Sequence, residues 1–202
     1  MKQKTNQGFT IIEVVLVLAI AGLIFLMVFI AVPALQRNQR DTDRRNVYSG
    51  IGTGITNFRS KNNGRLPNQN PASPASFAQP RGDRLCTVAR SAGDVQDMTN
   101  CTTTNTTTPV QFRIGSTTYQ LWIRNGAGTI NFNRAAFTNA AMNPGLTGDN
   151  VNKVLIVTNA RCGEVNTTDN HVGTVTVTAD NNRSVVIGPI EAGNTVTCLN
   201  VD

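Results

Sequence analysis

A chain of 202 residues with a net charge of +6, four cysteines and one histidine has room for a packed domain and an appendage. A charge balance that small does not mark a nucleic-acid binder, and four cysteines without a C-x-x-C pair, beside the single His171, do not make a zinc site. Aromatics are few, while Thr, Asn, Gly and Val crowd the second half, a composition suited to short strands and polar loops.

The chain opens on MKQKTNQG, short, polar and basic through Lys2 and Lys4. Residues 9–30 follow as an apolar run of 22 residues whose only ionisable member is Glu13. As a helix this run is about 33 Å long, enough to cross a bilayer core. A carboxylate near the start of a lipid-facing helix is costly and asks for a partner. A cleavable secretory signal competes for the same stretch, but its apolar core is shorter, about 7–15 residues, and is followed by its cut site. Here the small residue, Gly8, precedes the run.

Gly8-Phe9-Thr10-Ile11-Ile12-Glu13, leading into an unbroken apolar run, resembles the processing motif of type IV prepilins and pseudopilins. The resemblance implies cleavage after Gly8 by a prepilin peptidase on the cytoplasmic side and N-methylation of Phe9. It also implies assembly with other pilin subunits, in a homo- or hetero-filament, on an inner-membrane platform. Glu13 would pair with the Phe9 amine of a neighbouring subunit and so align adjacent helices in register. Since Glu13 lies four residues after Phe9, one subunit can also satisfy its own new amine, and a helix start favours a nearby anion in any case. A carboxylate that snorkels to the headgroups and pairs with nothing is the plainer alternative.

Orientation sets two arguments against each other. Lys2 and Lys4 precede the anchor while Arg37, Arg40, Arg44 and Arg45 follow it, so a count of cations favours the carboxyl side inside. The cysteines and Thr/Asn-rich strands suit an external domain instead, and prepilin-like chains insert with the leader inside. The orientation with the leader inside and the head outside is preferred.

Pro33, just beyond the run, predicts a kink or local stretch of the helix. The helix signal resumes after it, with Val47, Ile51, Ile55 and Phe58 spaced as one apolar stripe. Gly50, Gly52 and Gly54 each weaken a helix by about 1 kcal/mol relative to Ala, so this half must be held by packing, a sheet being the simplest partner. G-I-G-T-G is not a phosphate loop, because its spacing is wrong and it follows a helix pattern. Asn62-Asn63-Gly64 ends the helix.

Pro67, Pro71, Pro74 and Pro80 then predict an extended surface loop, and a Thr-rich bridge runs up to Pro109. Asn100, Asn105, Asn166 and Asn182 sit in N-x-S/T triplets, which arise by chance in such a composition. Val110, Phe112 and Ile114 alternate, as do Tyr119, Leu121 and Ile123, predicting a hairpin about Gly115-Ser116-Thr117. Residues 126–149 read as irregular with a short helix near 135–141, and 154–157 as a buried central strand. A second hairpin is predicted from 172–178 and 184–187 around Asp180-Asn181-Asn182, with Val196 and Cys198 on a last strand. Of three possible disulfide pairings, Cys86–Cys101 and Cys162–Cys198 are preferred because each closes a local loop without crossing the other.

Chemistry beyond this is sparse. His171 has no companion nucleophile, the acids Asp149, Asp169, Asp180 and Asp202 lack calcium-loop spacing, and Arg81, Arg84, Arg90, Arg113 and Arg124 read as scattered surface. No enzyme, cofactor or metal is expected. The reading is α+β: a long amino-terminal helix, its first half transmembrane, its second half packed on a carboxyl-terminal antiparallel sheet. The boundaries are 1–8 for a leader, 9–36 for the transmembrane and assembly helix, 37–64 for its amphipathic continuation, 65–109 for a Pro/Thr-rich loop region and 110–202 for the head. The resemblance then implies a structural subunit of a type IV pilus-like filament, stored in the cytoplasmic membrane and extracellular once assembled. A pseudopilin of a type II secretion system and a membrane-anchored surface protein that never polymerises are the alternatives. A DNA-capturing pilin would need a basic patch on the fold.

Overall fold

The computed structural model describes residues 8–70, 73–77, 82–102, 109–125, 130–132, 152–166, 174–191 and 196–202. The leader residues 1–7, His171 and the helix predicted near 135–141 lie outside them, as do most of the Thr-rich bridge, Arg81, Asn105, Asp149 and Asp169. The chain divides into two units, Met1–Arg40 and Asp41–Asp202.

Helix α1 (Ile11–Lys61) supplies residues to both. In the first unit it is apolar on every side and exposed on nearly every side, with a mean hydropathy of 3.2 over its most apolar stretch and none of that stretch buried. It is long and apolar enough to cross a membrane. The helix is unbroken through Pro33, whose ring leaves the Phe29 carbonyl without its usual donor.

In the second unit α1 turns amphipathic and buries Val47, Tyr48, Ile51, Ile55 and Phe58. Its end is a left-handed cap, with Asn63 and Gly64 at φ of 54° and 76° and the Gly64 amide donating to the Arg59 carbonyl at 2.9 Å. The segment that composition marked as loop holds more structure than its prolines suggest. It contains a small ribbon of β1 (Gln69–Asn70) and β2 (Ser73–Phe77), helix α2 (Gly82–Ala89), a 3-10 turn (Arg90–Ala92) and strand β3 (Val95–Thr99). Leu85, Cys86, Val88 and Ala89 give α2 a buried face, and the prolines all precede it.

The remaining strands are β4 (Val110–Ile114), β5 (Thr117–Asn125), β6 (Ile130–Phe132), β7 (Lys153–Asn166), β8 (Thr174–Pro189) and β9 (Val196–Val201). The fold is α+β, with one seven-stranded sheet of order β3-β4-β5-β7-β8, in which β6 and β9 share the far edge of β8. The β4–β5 hairpin closes through Gly115-Ser116, with Gly115 at φ 59°. The pairing of β5 with β7 is parallel, so the sheet is mostly rather than wholly antiparallel. Residues 130–132 are a strand within the stretch predicted as irregular.

The predicted second hairpin is corrected. Residues on both sides of Asp180-Asn181-Asn182 belong to the single strand β8, and both halves pair with β7. Between the paired positions Ala179 and Ser184 the β8 side holds four residues, 180–183, whereas β7 holds only Asn159 between Thr158 and Ala160. Asn159 and Asn182 take left-handed φ of 55° and 69°, and the Asn182 amide donates to Asn159 Oδ1 at 3.1 Å. An oversized bulge of this kind bends a ribbon.

Register measures the bend. Val177 pairs with Cys162 and Ile187 with Cys198, and the Cα atoms of the two cysteines are 5.9 Å apart. Ten residues of straight strand would separate Val177 from Ile187 by about 33 Å. The pairings allow only about half of that, at roughly 5 Å per paired Cα. The β7–β8 ribbon therefore folds back over the sheet, and Ala160 packs with Trp122, Leu155, Val157, Val185, Ile187 and Val196. The opposite face carries α1 and α2 on Phe112, Leu121, Ile123, Val154, Ile156 and Val186.

Candidate functional site

Residues 8–10 are exposed and precede the helix, so the Gly8–Phe9 peptide lies outside the α-helical hydrogen-bond ladder. Thr10 caps α1. Its backbone amide and its hydroxyl donate to Glu13 Oε2 at 3.1 and 2.9 Å, and the Glu13 amide donates back to Thr10 Oγ1 at 3.4 Å. This is a capping box, in which Thr at the cap and Glu three residues on satisfy each other's backbone donors. The T-x-x-E spacing is legible in the sequence, and it gives Glu13 an intrachain partner besides the Phe9 amine. The carboxylate also sits where the helix dipole favours an anion. Around it Phe9, Ile11 and Ile12 are exposed, Phe9 at 89 %.

Within the second unit, α1 carries a buried charge cluster. Arg44 Nη1 bonds Asp41 Oδ1 at 2.7 Å, Arg44 Nη2 bonds Glu191 Oε1 at 2.5 Å, and the Glu191 amide donates to Asp41 Oδ1 at 2.9 Å. Burial works against the Arg44 charge, but the two carboxylates outweigh it and hold the guanidinium above its usual range. One turn on, the Tyr48 hydroxyl donates to the Pro189 carbonyl at 2.9 Å, and its ring lies so close over Gly188 that any β-carbon there would overlap it. Burial pushes the Tyr48 phenol well above its ordinary value. Helix and sheet are thus joined at residues 188–191. The Asp41–Arg44 pair is visible as an i,i+3 spacing, but Glu191, 147 residues from Arg44, is not.

The glycines pack chiefly against a helix and a turn rather than a sheet. A β-carbon on Gly50 would fall on the Ser91 carbonyl, and one on Gly54 on the Val88 carbonyl, so this edge of α1 meets α2 and the turn after it. Gly52 alone faces a strand, meeting Val201 and Leu199 of β9.

All four cysteines are oxidised, as Cys86–Cys101 and Cys162–Cys198. Among the described residues no cluster of His, Cys, Asp and Glu suits a metal ion, and Arg183 reaches both Asp180 and Asp202 at 3.5 Å. Of the N-x-S/T positions, Asn100 already donates its amide to the Pro109 carbonyl at 2.8 Å, and Ser184 after Asn182 is buried. Arg113 pairs with Asp97 and Arg84 donates to the Pro67 carbonyl, whereas Arg124 is partly buried rather than surface.

A family model described as the prokaryotic N-terminal methylation motif matches residues 3–29. The chain has a prepilin-like amino terminus. Its prepilin-like motif covers the capping box and most of the apolar run and stops before the second unit. No curated protein and no solved structure matches the chain. The motif and the exposed apolar helix together fit a membrane-anchored precursor with a prepilin-like amino terminus.

Proposed function

We propose that this chain is a structural subunit of a type IV pilus-like filament. Prepilin peptidase cuts it after Gly8, Phe9 is N-methylated, and the subunit polymerises through its amino-terminal helix with its head outward. The observation that carries the reading is the first half of α1, apolar and exposed, with one carboxylate fixed at its start. Such a surface needs an apolar surrounding at every stage. Lipid supplies it to the stored precursor, and the helices of neighbouring subunits supply it in the filament.

The capping box refines the part Glu13 plays. In the uncut chain one of its oxygens, Oε2, accepts from the Thr10 amide and hydroxyl. Cleavage turns the Phe9 amide, next to Thr10 and four residues before Glu13, into an ammonium, a far stronger partner than a hydroxyl. Glu13 then has a charge to pair with, on its own chain or a neighbour's, and only the neighbour's sets register.

Mass spectrometry of sheared filaments and of the membrane fraction tests this directly. A chain beginning at methylated Phe9 in both is expected. An intact Met1 in assembled material, or a start beyond residue 30, sinks the reading. Glu13→Val is expected to leave insertion and cleavage intact while lowering filament yield at least tenfold, and normal filaments from that variant would remove its role in register. Filaments absent under every condition, with the processed chain accumulating in the membrane, favour the anchored surface protein instead.

A further inference from the structure

Strand β5 alternates between the two faces of the sheet. Leu121 and Ile123 pack on the side of α1, which places Trp122 and Arg124 next to each other on the opposite face. Trp122 is 4 % exposed, and its indole Nε1, a group that can only donate, has no hydrogen-bond partner. Arg124 is partly buried, with Val157 as its register neighbour on β7. Its guanidinium has no carboxylate partner among the described residues, and burial alone pulls it below its usual range. The contrast with Arg44 is direct: there two carboxylates reverse the effect of burial, and here no carboxylate among the described residues does. Among the described residues, the buried indole N–H has no acceptor and the half-buried guanidinium beside it has no carboxylate, whereas buried donors are normally satisfied.

We propose that Trp122 and Arg124 form a carboxylate-binding subsite on the head. A planar carboxylate offers two oxygens, one for the Arg124 fork and one for the indole N–H. Arg124, the less buried of the two, forms the entrance, and Trp122 is the floor. The subsite belongs to the head alone and does not depend on whether the chain polymerises.

Trp122 is the only tryptophan in the chain, so its emission reports on this site and no other. The test titrates the detergent-solubilised full chain at neutral pH with sodium acetate and, separately, with phosphate, each against sodium chloride at matched ionic strength. A saturable change with acetate is expected, at roughly millimolar affinity for so small a ligand. Arg124→Gln is expected to weaken it about tenfold or more, as loss of a charge-assisted hydrogen bond should. Should that variant fail to fold, Arg124→Lys keeps the charge but not the fork and is expected to bind more weakly than the native chain. An acetate response no different from that of chloride overturns the proposal, as does a saturable response unchanged in both variants. A response to phosphate without one to acetate overturns the carboxylate assignment.

Discussion

At Arg44 a single guanidinium ties together two acids, one buried and one half-buried. Arg44 is 5 % exposed and lies between Asp41, itself buried, and Glu191. Arg44→Ala removes the guanidinium that bonds buried Asp41, and breaking a buried pair typically costs about 3–5 kcal/mol. Urea unfolding of the full chain, followed by Trp122 emission, is expected to show a loss of that size, and a variant within about 1 kcal/mol of the native protein would mean the cluster is solvated. The two tyrosines give a pH test. Burial raises both Tyr48 and Tyr119, so in the folded state they stay neutral where the unfolded chain, with phenols near about 10, would ionise. Their contribution to stability is complete below about pH 10 and is withdrawn as the pH climbs above it. Tyrosinate absorbance and Trp122 emission are therefore expected to change together in one alkaline transition. Tyrosinate appearing first, with emission unchanged, would contradict the burial of both rings.

At the scale of elements, the glycines of α1 separate two effects that composition cannot. Alanine is the better helix former by about 1 kcal/mol. At Gly54 the added methyl meets the Val88 carbonyl, a backbone atom that cannot step aside. Gly54→Ala is expected to destabilise the head by about 1–3 kcal/mol despite its propensity. At Gly52 the methyl meets only the side-chain tips of Val201 and Leu199, at 3.3 and 3.4 Å, and Gly52→Ala is expected to fall within about 1 kcal/mol of neutral. Thermal unfolding of the two variants side by side checks the order, and a Gly52 variant harmed more than the Gly54 one would reverse the packing assignment. Periodicity made the stripe of Val47, Ile51, Ile55 and Phe58 legible, and alternation did the same for the β4–β5 hairpin. What lies against the glycines was not legible, because α2 follows a run of prolines and owes its place to contacts across the fold.

At the scale of the molecule, the amino-terminal motif was readable because its parts are contiguous: a small residue, an aromatic, a threonine and an acid three positions apart, then an apolar run. The head was readable in class but not in path. A turn signal such as Asp180-Asn181-Asn182 describes a local change of direction, and the same residues serve a reversal or a corner. The choice falls to pairing with β7, which no window of β8 contains. The same distance in sequence hid Glu191 from Arg44 and left Arg124 looking like surface. The Cys162–Cys198 bridge closes over this corner, 36 residues apart in sequence. Replacing both cysteines by serine is expected to cost about 3–4 kcal/mol on the chain-entropy account of cross-links, measured by urea unfolding without reductant. A loss below about 1 kcal/mol would mean the corner holds without its bridge.

The corner also sets an order of events. The outer face of the sheet is completed by Val196, and the bridge that holds it needs Cys198, both on a strand whose partners all come earlier in the chain. On the proposed function, in which the head is exported, a head that crosses the membrane amino end first must wait for β9 with its outer hydrophobic face open. During that interval Leu155, Val157, Val185 and Ile187 are within reach of any holding factor on the exit side, and oxidation of the second cysteine pair marks the moment at which that opportunity ends.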